Sequence, residues 1–415
     1  MNESHPEYGS NIVYDRKSYL RRIEPFLGKP VIKVITGLRR SGKSCFLRQV
    51  VQRLKERHGA VDADIIVIDK ESLEFQEIRT AEDLHEHVRN RRRSAKGRAC
   101  LLVDEVQEIE QWERAIVSLA KPGDMDIVLT GSNAHMLSSE LATLLSGRYV
   151  EFPIYTLSLA EFIQFRGDRA GAVEEEFGLY LRYGGFPALH LFDFTDETVY
   201  QYVSAVYSTI LLKDIVRRYE IRNVPLLEGI GRYLCDNIGN LLTANRIARY
   251  LRSQRLKIGV ETVQAYLGYF EDAQMVSKVP RFDIKGKRHF EINDKYYLNE
   301  LGLRHSVLGF REGDIGGFLE NLVFLDLKRR GYRVSVGKLG QAEVDFVATR
   351  ENERVYVQVA YLLERPETVK REVDPLLAIQ DNYPKYLVTM DRHFGQDIRG
   401  VRRIHLRDFL LREDM

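Results

Sequence analysis

The sequence predicts an α/β protein that begins with a parallel sheet and ends with a second α/β region. Between about residues 30 and 155, short β-rich runs alternate with helical stretches, which is typical of a parallel sheet covered by helices. From about residue 156 to 240, apolar residues recur at three- and four-residue spacing, which predicts helices. Beyond about residue 315, strands and helices alternate again.

Length and composition are those of a globular protein. The chain has 415 residues, 44% of them apolar and 29% charged, with a formal net charge of +2. These values exclude extended disorder and a collagen-like chain, and the length predicts about two to four domains. The three cysteines form no CxxC pair, so neither a disulfide framework nor a cysteine zinc site is expected. Cysteines that are few and widely spread fit a cytoplasmic location, where thiols stay reduced. No segment is expected to span a membrane.

The first two predicted domains are a nucleotide-binding sheet (1–155) and a helical lid (156–240). The lid prediction rests on the apolar periodicity through Glu197–Arg218, with the Gly-Gly-Phe-Pro break at residues 184–187. The predicted strands of the sheet are Val31–Thr36, Asp64–Asp69, Ala99–Val106, Asp126–Thr130 and Tyr149–Ile154.

Residues 241–312 predict two short helices followed by a β-hairpin, and 313–415 predict a last α/β domain. Thr243 suits the N-cap of the first helix. The predicted elements of the third domain are Ala244–Ser253, Val260–Ala273, Val276–Phe282 and His289–Leu298. Those of the last domain are Gly317–Arg330, Tyr332–Val336, Glu343–Thr349, Val355–Tyr361, Val369–Asp381 and Tyr386–Met390.

A phosphate-binding loop follows the first predicted strand. Residues 37–44, GLRRSGKS, match GxxxxGK[ST] directly before a helical stretch. Such a loop curls so that backbone N–H groups face phosphate oxygens, while Lys43 reaches the β- and γ-phosphates and the Ser44 hydroxyl ligates Mg²⁺. The residues assigned to ATP binding are Gly37, Leu38, Arg39, Arg40, Ser41, Gly42, Lys43, Ser44 and Cys45.

Two acids end the third predicted strand, in the form of a Walker B site. In Cys100-Leu-Leu-Val-Asp-Glu, Asp104 is predicted to hold Mg²⁺ and Glu105 to polarise the attacking water. The alternative is a strand that ends in a solvated acidic turn.

Two further residues are candidates for catalysis. Asn133 follows the next strand, where a polar side chain can bind the γ-phosphate or the water, although Asn133 or Ser132 could instead cap the next helix. Arg148 follows a predicted helix, Glu140–Leu145, and could act as an arginine finger on a neighbouring subunit. The alternative for Arg148 is a surface ion pair with Glu151 or Glu140.

These motifs resemble those of AAA+ P-loop ATPases. The order of GLRRSGKS, LLVDEVQ with Trp112, LTGSNAHML and LSGRY is similar to a prokaryotic AAA+ family with a C-terminal domain of unknown function. The resemblance implies a winged helix followed by a restriction-endonuclease-like α/β core of the PD-(D/E)XK type. It extends over about residues 15–410, and its motifs in the ATPase region are the specific ones.

The predicted winged helix is surrounded by basic residues, although its second helix is not basic. The candidate contacts of that helix are Gln264, Tyr266 and Tyr269, beside Glu261, Glu271 and Asp272. This distribution favours DNA phosphate contact over base reading, and the alternative is a surface that binds protein. The basic residues are Arg246, Arg249, Arg252, Arg255, Lys257, Lys278, Arg281, Lys285, Lys287 and Arg288.

The last domain has an incomplete set of nuclease residues. Glu320 and Asp345 match the helix acid and the strand acid of a PD-(D/E)XK core, but the third element reads Gln358-Val-Ala360. A glutamine is a poor metal ligand and alanine cannot replace the lysine. A lysine could migrate from the next helix, at Lys370 or Arg371. The sequence therefore predicts that this domain does not cut DNA.

The combined prediction is an ATPase that converts ATP to ADP and phosphate with Mg²⁺. The predicted partners are ATP, other copies of the chain in a hexameric or heptameric ring, and DNA, which could be branched. The alternative is a nucleotide-dependent switch or a protein-remodelling ATPase.

Overall fold

The structure, a computed structural model, describes residues 14–95, 97–133, 147–256, 258–289, 294–311, 315–391 and 397–412. The predicted helix Glu140–Leu145 lies outside these residues. The chain divides into two compact units. The first contains the segments up to Thr36, Gly42–Gly131 and on to Ile154. The second contains Gly37–Ser41, a short segment that begins at Ser132, and the chain from Tyr155 onward.

The first unit contains a five-stranded parallel sheet with strand order β2-β3-β4-β1-β5. β4 therefore lies between β1 and β3, which carry the two predicted motifs. The strands are β1 (Ile32–Thr36), β2 (Ile65–Asp69), β3 (Ala99–Asp104), β4 (Met125–Gly131) and β5 (Tyr149–Pro153). The helices are α1 (Lys17–Ile23), α2 (Lys43–His58), α3 (Ala81–Arg92) and α4 (Trp112–Ala120). The predicted parallel sheet is confirmed.

The central strands β1, β3 and β4 are buried along their whole length, as expected for parallel strands covered on both faces. β1 and β4 also contain a buried ion pair, Lys33–Asp126. Asp126 Oδ2 accepts a further hydrogen bond of 2.6 Å from the Gly28 backbone N–H. A lysine inside a central strand is tolerated because its charge is paired.

The second unit begins with helices that follow the predicted periodicity. The helices are α5 (Leu159–Arg166), α6 (Val173–Tyr183), α7 (Asp196–Thr209) and α8 (Val224–Asp236). α7 continues into a π-helical segment, Ile210–Arg217, where an uninterrupted α-helix was predicted. π-helical turns are rare and occur often at functional sites.

Two helices and a hairpin follow, as predicted. α9 (Ala244–Ser253) starts at the Thr243 N-cap, whose hydroxyl accepts the Arg246 N–H, and α10 covers Val260–Asp272. β10 pairs with β6 and with β7 in one small sheet, and β8 pairs with β9. The strands are β6 (Leu241–Leu242), β7 (Val276–Val279), β8 (Arg281–Asp283), β9 (Arg288–His289) and β10 (Asp294–Leu298).

The hairpin divides at Pro280, between β7 and β8, because proline has no N–H to give to a ladder. β8 then runs parallel to a strand of the last region, so this sheet has the order β15-β14-β13-β12-β11-β8-β9. Its later strands are β11 (Arg333–Leu339), β12 (Ala342–Arg350), β13 (Glu353–Ala360), β14 (Lys385–Thr389) and β15 (Arg402–His405). The remaining helices are α11 (Leu301–Leu308), α12 (Ile315–Arg329), α13 (Pro366–Leu377) and α14 (Leu406–Leu411).

The sequence did not predict β15 or the attachment of the hairpin tip to the last sheet. Both depend on pairing between distant segments. Among the residues that the structure describes, no helix combines the length and the apolar character needed to cross a membrane.

Candidate functional site

The phosphate-loop motif forms the connection between β1 and α2. Gly42 has φ 98° and Gly37 has φ 156°, and Arg40 is also left-handed with φ 65°. Only glycine adopts such values without steric cost. α2 begins at Lys43, and the first N–H groups of a helix lack acceptors within the helix itself, which suits an anionic ligand. The local backbone is that of an anion-binding loop.

The two acids of the predicted Walker B site, Asp104 and Glu105, lie at the end of β3 and are both buried. Asp104 ends the strand, and its carboxylate accepts hydrogen bonds from the hydroxyls of Thr130 and Ser44. Burial raises the pKa of Asp104 above its ordinary value, although both hydroxyls oppose the change. Glu105 has φ 52°, an uncommon conformation that turns its side chain away from the strand direction.

Lys43 and Glu105 contact each other in the first unit. Lys43 Nζ lies 3.5 Å from Glu105 Oε1, and the two side chains are 4% and 8% exposed. The Gln107 amide donates a hydrogen bond to the other oxygen of Glu105. Glu105 thus lies between an ammonium group and an amide that donates to it.

Thr130 is a residue of this cluster that sequence reasoning missed. Its hydroxyl donates to Asp104 Oδ1 and accepts the Glu105 backbone N–H at 3.0 Å. It thereby joins the ends of β4 and β3. A usable signal was present, since Thr130 is a polar residue at the carboxyl end of an otherwise apolar strand.

Ser44 and Asp104 suit a magnesium ion. The Ser44 side chain and the Asp104 carboxylate are hydrogen-bonded to each other, so two oxygen donors already meet. Mg²⁺ prefers oxygen ligands and commonly uses one or two protein groups together with substrate phosphates and water. No group of three or more acidic, histidine or cysteine side chains able to hold a metal occurs among the described residues.

Two predicted site residues have partners within the second unit. Arg39 forms two hydrogen bonds of 2.9 Å with the Asp214 carboxylate. Asn133 is buried, at 3% exposure, and its side chain is hydrogen-bonded to Tyr219. Tyr219 donates to Asp272 at 2.7 Å. The sequence indicated neither Asp214 nor Tyr219.

Arg148 lies immediately before β5 with an exposed side chain. Its carbonyl accepts the Ile32 N–H at 2.9 Å, which attaches this residue to the start of β1. The predicted alternative partner Glu151 accepts a hydrogen bond from Thr36 instead, and no ion pair of Arg148 occurs among the described residues. Its other predicted partner, Glu140, lies outside the described residues.

The basic residues around α9, α10 and the hairpin fall into two groups. Arg252 is tied to the Ile258 carbonyl at 3.0 and 2.9 Å, and Lys278 lies 3.2 Å from Asp294. Arg281 is largely buried and lies 3.9 Å from Glu343. Lys257 lies outside the described residues. Arg252 and Lys278 are exposed even so, and the other exposed basic side chains are Arg246, Arg249, Arg255, Lys285, Lys287 and Arg288.

Tyr266 and Tyr269 of α10 were predicted as possible contacts to DNA. This prediction is wrong, because both rings pack against other parts of the protein. Tyr266 is buried in the hydrophobic core, and Tyr269 stacks on Tyr219 with ring centroids 3.8 Å apart. Apolar packing at three- and four-residue spacing uses both rings. Gln264 and Glu261 are exposed.

The nuclease-like acids meet a lysine from an unexpected element. Lys295 of β10 lies 3.4 Å from Glu320 Oε2, 2.9 Å from Glu343 Oε1 and 4.0 Å from Asp345 Oδ1. The lysine that the sequence offered as a substitute was on the next helix, but Lys370 and Arg371 are exposed and the lysine in the cluster comes from β10.

Gln358 connects backbone and helix beside this cluster. Its oxygen accepts the N–H of Asp345 at 3.2 Å, and its amide donates to Glu372 at 2.9 Å. Asp345 itself accepts the Val359 N–H at 2.8 Å. Both ends of the Gln358 amide are thus used inside the protein.

Comparison with known families identifies two regions of the chain. Residues 29–163 match the model of an AAA domain, and residues 174–314 match a domain of unknown function (DUF8612). In solved structures, the Walker-type ATPase of Pyrococcus abyssi is similar, with a TM-score of 0.52 and 16% identity. The match covers 71% of this chain and 96% of that one, and at this identity it shows the fold alone.

Two relatives match across most of the chain. An uncharacterised protein of Methanocaldococcus jannaschii is 32% identical over 357 residues, which cover 83% of this chain and 77% of that protein. An uncharacterised protein of Haemophilus influenzae is 37% identical over 405 residues, which cover 97% of this chain and 100% of that protein. The chain therefore belongs to the same family as the Haemophilus influenzae protein, a family of AAA-type P-loop ATPases.

Proposed function

We propose that the chain binds ATP with Mg²⁺ and hydrolyses it to ADP and phosphate. The observation that carries this proposal is the contact of Lys43 with Glu105, next to an Asp104 that is bonded to Ser44. It brings a phosphate-binding cation, a candidate base and a pair of magnesium ligands into one unit.

Each residue has a distinct role in the proposed reaction. The loop N–H groups and Lys43 bind the phosphates, and Glu105 accepts a proton from the attacking water. Asn133 orients that water or the γ-phosphate. Mg²⁺, held by Ser44 and Asp104, would neutralise charge on the phosphate oxygens. Since Lys43 already contacts Glu105, the ammonium can pass from the carboxylate to a phosphate over a short distance.

Two substitutions test the chemistry. Lys43→Ala removes a contact made in both ground and transition states, so ATP binding and turnover should fall together. Glu105→Gln keeps the shape and loses the base, so it should bind ATP and lose hydrolysis by about 100-fold or more. The matched control is Glu110→Gln, an exposed glutamate nearby. Normal turnover in the Glu105→Gln protein would remove Glu105 from this role.

We further propose that the ATPase forms an oligomeric ring and acts on DNA. The exposed basic side chains of α9 and of the hairpin, among them Arg249, Arg255 and Lys285, support phosphate contact. The hairpin tip carries Lys285 and Lys287, both exposed, directly before Arg288. These groups would bind the DNA backbone without reading its sequence, which suits a substrate recognised by shape.

Salt dependence tests the DNA proposal. Each phosphate contact releases counterions, so the slope of log K against log salt should become shallower by about one for each contact removed. Lys285→Gln with Lys287→Gln should therefore reduce both affinity and slope. Lys17→Gln with Lys121→Gln, which removes two exposed lysines of the first unit, is the charge-matched control. If the two double variants lowered the DNA affinity and the salt slope equally, the proposal of a specific DNA-binding surface at the hairpin would be contradicted.

A second candidate function is an ATP-dependent switch that binds protein. The observation that favours it is the exposed face of α10, where Glu261, Thr262 and Gln264 offer no positive charge. If DNA does not bind at low salt, this candidate replaces the DNA proposal and leaves the ATPase proposal intact.

A further inference from the structure

We propose that the helical stretch 210–219 positions the phosphate loop and Asn133, using Asp214 and Tyr219 as positioning residues. The inference rests on the proposed nucleotide site and adds two residues to it. Neither residue belongs to a nucleotide-binding motif, and both lie far along the chain from the groups they contact. Asp214 and Arg39 are separated by 175 residues.

The contact between Asp214 and Arg39 is a buried, two-point ion pair. Arg39 Nε lies 2.9 Å from Oδ2 and Nη2 lies 2.9 Å from Oδ1, and the side chains are 8% and 7% exposed. A guanidinium bound at two points to a carboxylate has a defined orientation. The Arg39 side chain therefore acts as an anchor for the loop backbone.

The neighbouring loop residue strengthens this anchor. Leu38 is 2% exposed and belongs to the hydrophobic core of the second unit. Two consecutive residues of the phosphate loop are thus held by side-chain contacts, one apolar and one ionic. Because the proposed site binds phosphate through the backbone N–H groups of the loop, the position of this backbone decides how well those groups converge.

Tyr219 provides the second contact of the same stretch. Its hydroxyl donates to Asp272 at the end of α10, and the Asn133 side chain is hydrogen-bonded to it. Its ring stacks on Tyr269, also of α10. Asn133 is therefore held by a tyrosine whose own position is set by two residues of α10.

Both contacts come from one helical stretch. Asp214 lies inside the π-helical segment Ile210–Arg217, and Tyr219 follows the end of that segment by two residues. Within the segment, Asp214 is buried while Leu212 is 54% exposed. The geometry assigns this stretch to holding two short segments of the second unit, with Asp214 acting on Arg39 of the loop and Tyr219 acting on Asn133.

The first test measures binding of ADP with Mg²⁺ to the full-length chain by calorimetry. Asp214→Asn should weaken ADP binding about tenfold, because the loop loses one of its two anchors. Arg39→Met should have a similar effect. The double variant should be no weaker than the weaker single variant, since both substitutions break one contact. Asp214→Glu keeps the charge and should recover part of the affinity.

The matched control is Asp196→Asn, which breaks an Asp–Arg pair with Arg182 whose side chains are 48% and 45% exposed. It should bind ADP like the unmodified chain. An ADP affinity of Asp214→Asn within about twofold of the unmodified chain, or single effects that multiply in the double variant, would overturn the role of Asp214. If Asp214→Asn does not fold, Arg39→Met with Asp214→Leu removes both charges, and normal ADP affinity there would overturn it equally.

Tyr219→Phe tests the contact of Tyr219 with Asn133 independently of the contact between Asp214 and Arg39. It removes the hydroxyl and keeps the stacking ring, so kcat should fall about tenfold or more while ADP affinity stays unchanged. An unchanged kcat would overturn the role of Tyr219. Failure of the proposed function looks different, because then the unmodified chain itself would not bind ADP, or Lys43→Ala would bind it normally.

Discussion

The Thr130 hydroxyl holds two acidic residues in place through two hydrogen bonds. It donates to Asp104 and accepts the N–H of Glu105. Thr130→Val keeps the shape and removes both hydrogen bonds, so stability should fall by about 1–3 kcal/mol and ATP turnover should fall with it. Thr130→Ser retains the hydroxyl and is the control. Urea unfolding and a phosphate-release assay measure the two effects, and wild-type turnover in Thr130→Val would argue against a role for this hydroxyl in the reaction.

His190 makes the stability of the second unit depend on pH. Its ring packs against Phe162 with centroids 4.7 Å apart, and both ring nitrogens are buried without a hydrogen-bond partner. Burial, together with the nearby charges of Arg166 and Arg169, lowers the pKa of His190 to about 3. The folded protein thus holds the neutral ring, whereas the unfolded chain takes up a proton below about pH 6.5.

The sign of this effect follows from proton uptake. As pH falls from about 6.5 toward 3, the unfolded chain binds more protons, so the free energy of unfolding should drop by up to about 1.4 kcal/mol per pH unit. His190→Phe should remove this part of the acid sensitivity. His58→Phe, which changes a partly exposed ring, should leave it. Parallel pH profiles of unfolding for His190→Phe and the unmodified chain would show that the ring does not contribute.

At the scale of elements, β10 connects two sheets through one lysine. The strand pairs with β6 and β7, while Lys295 reaches carboxylates on α12 and β12. Burial alone would lower the pKa of Lys295, but Glu320, Asp345 and Glu343 outweigh it and raise the pKa above its ordinary value. The ammonium therefore stabilises the fold at neutral pH, and this contribution is lost in strong alkali.

Lys295→Met should destabilise the protein by about 3–5 kcal/mol at pH 8, because it leaves buried carboxylates without a counter-charge. The pKa values of Asp345 and Glu320 are already raised by burial, so these groups can bind protons when the lysine is absent. The loss should accordingly be smaller at pH 5.5. Lys295→Arg keeps the charge and is the control. Equal losses of unfolding free energy at both pH values would contradict this account.

Lys295 also supports the prediction that the last α/β region does not cut DNA. Its ammonium lies among the acids that would otherwise hold a metal, and Gln358 is committed to Asp345 and Glu372. We therefore expect no cleavage of linear, single-stranded or junction DNA with Mg²⁺ or Mn²⁺. The measurement is gel analysis after incubation with purified protein. Cleavage that disappears in Asp345→Ala would show that this prediction is wrong.

At the scale of the whole molecule, Arg148 tests assembly. If its exposed side chain acts on a neighbouring subunit, turnover should rise with protein concentration, and Arg148→Ala should bind ATP without hydrolysing it. Mixing Arg148→Ala with Glu105→Gln should restore part of the activity, because some interfaces then combine an intact base with an intact arginine. No recovery in verified mixed oligomers would argue that Arg148 acts within its own subunit or only structurally.

The sequence by itself determined the parallel sheet, the order of its motifs and most of the helices. These features depend on local signals: apolar runs of strand length, helical periodicity, the Thr243 N-cap, and a loop motif in which Gly42 and Lys43 occupy consecutive positions. Each is contained within a window of about twenty residues or fewer. Asp104 and Glu105 could be assigned in the same way, because both end a single buried strand.

Only the tertiary structure decided which residues support these motifs. Asp214 meets Arg39 across 175 residues, and Lys295 meets Glu343 through strands of different sheets. It also decided that Tyr266 is part of the core rather than a free contact. No spacing rule connects such residues, because their proximity is set by how helices and strands pack after the local elements have formed. Charged and aromatic side chains look alike in a sequence whether they face solvent or a partner, and burial alone distinguishes them.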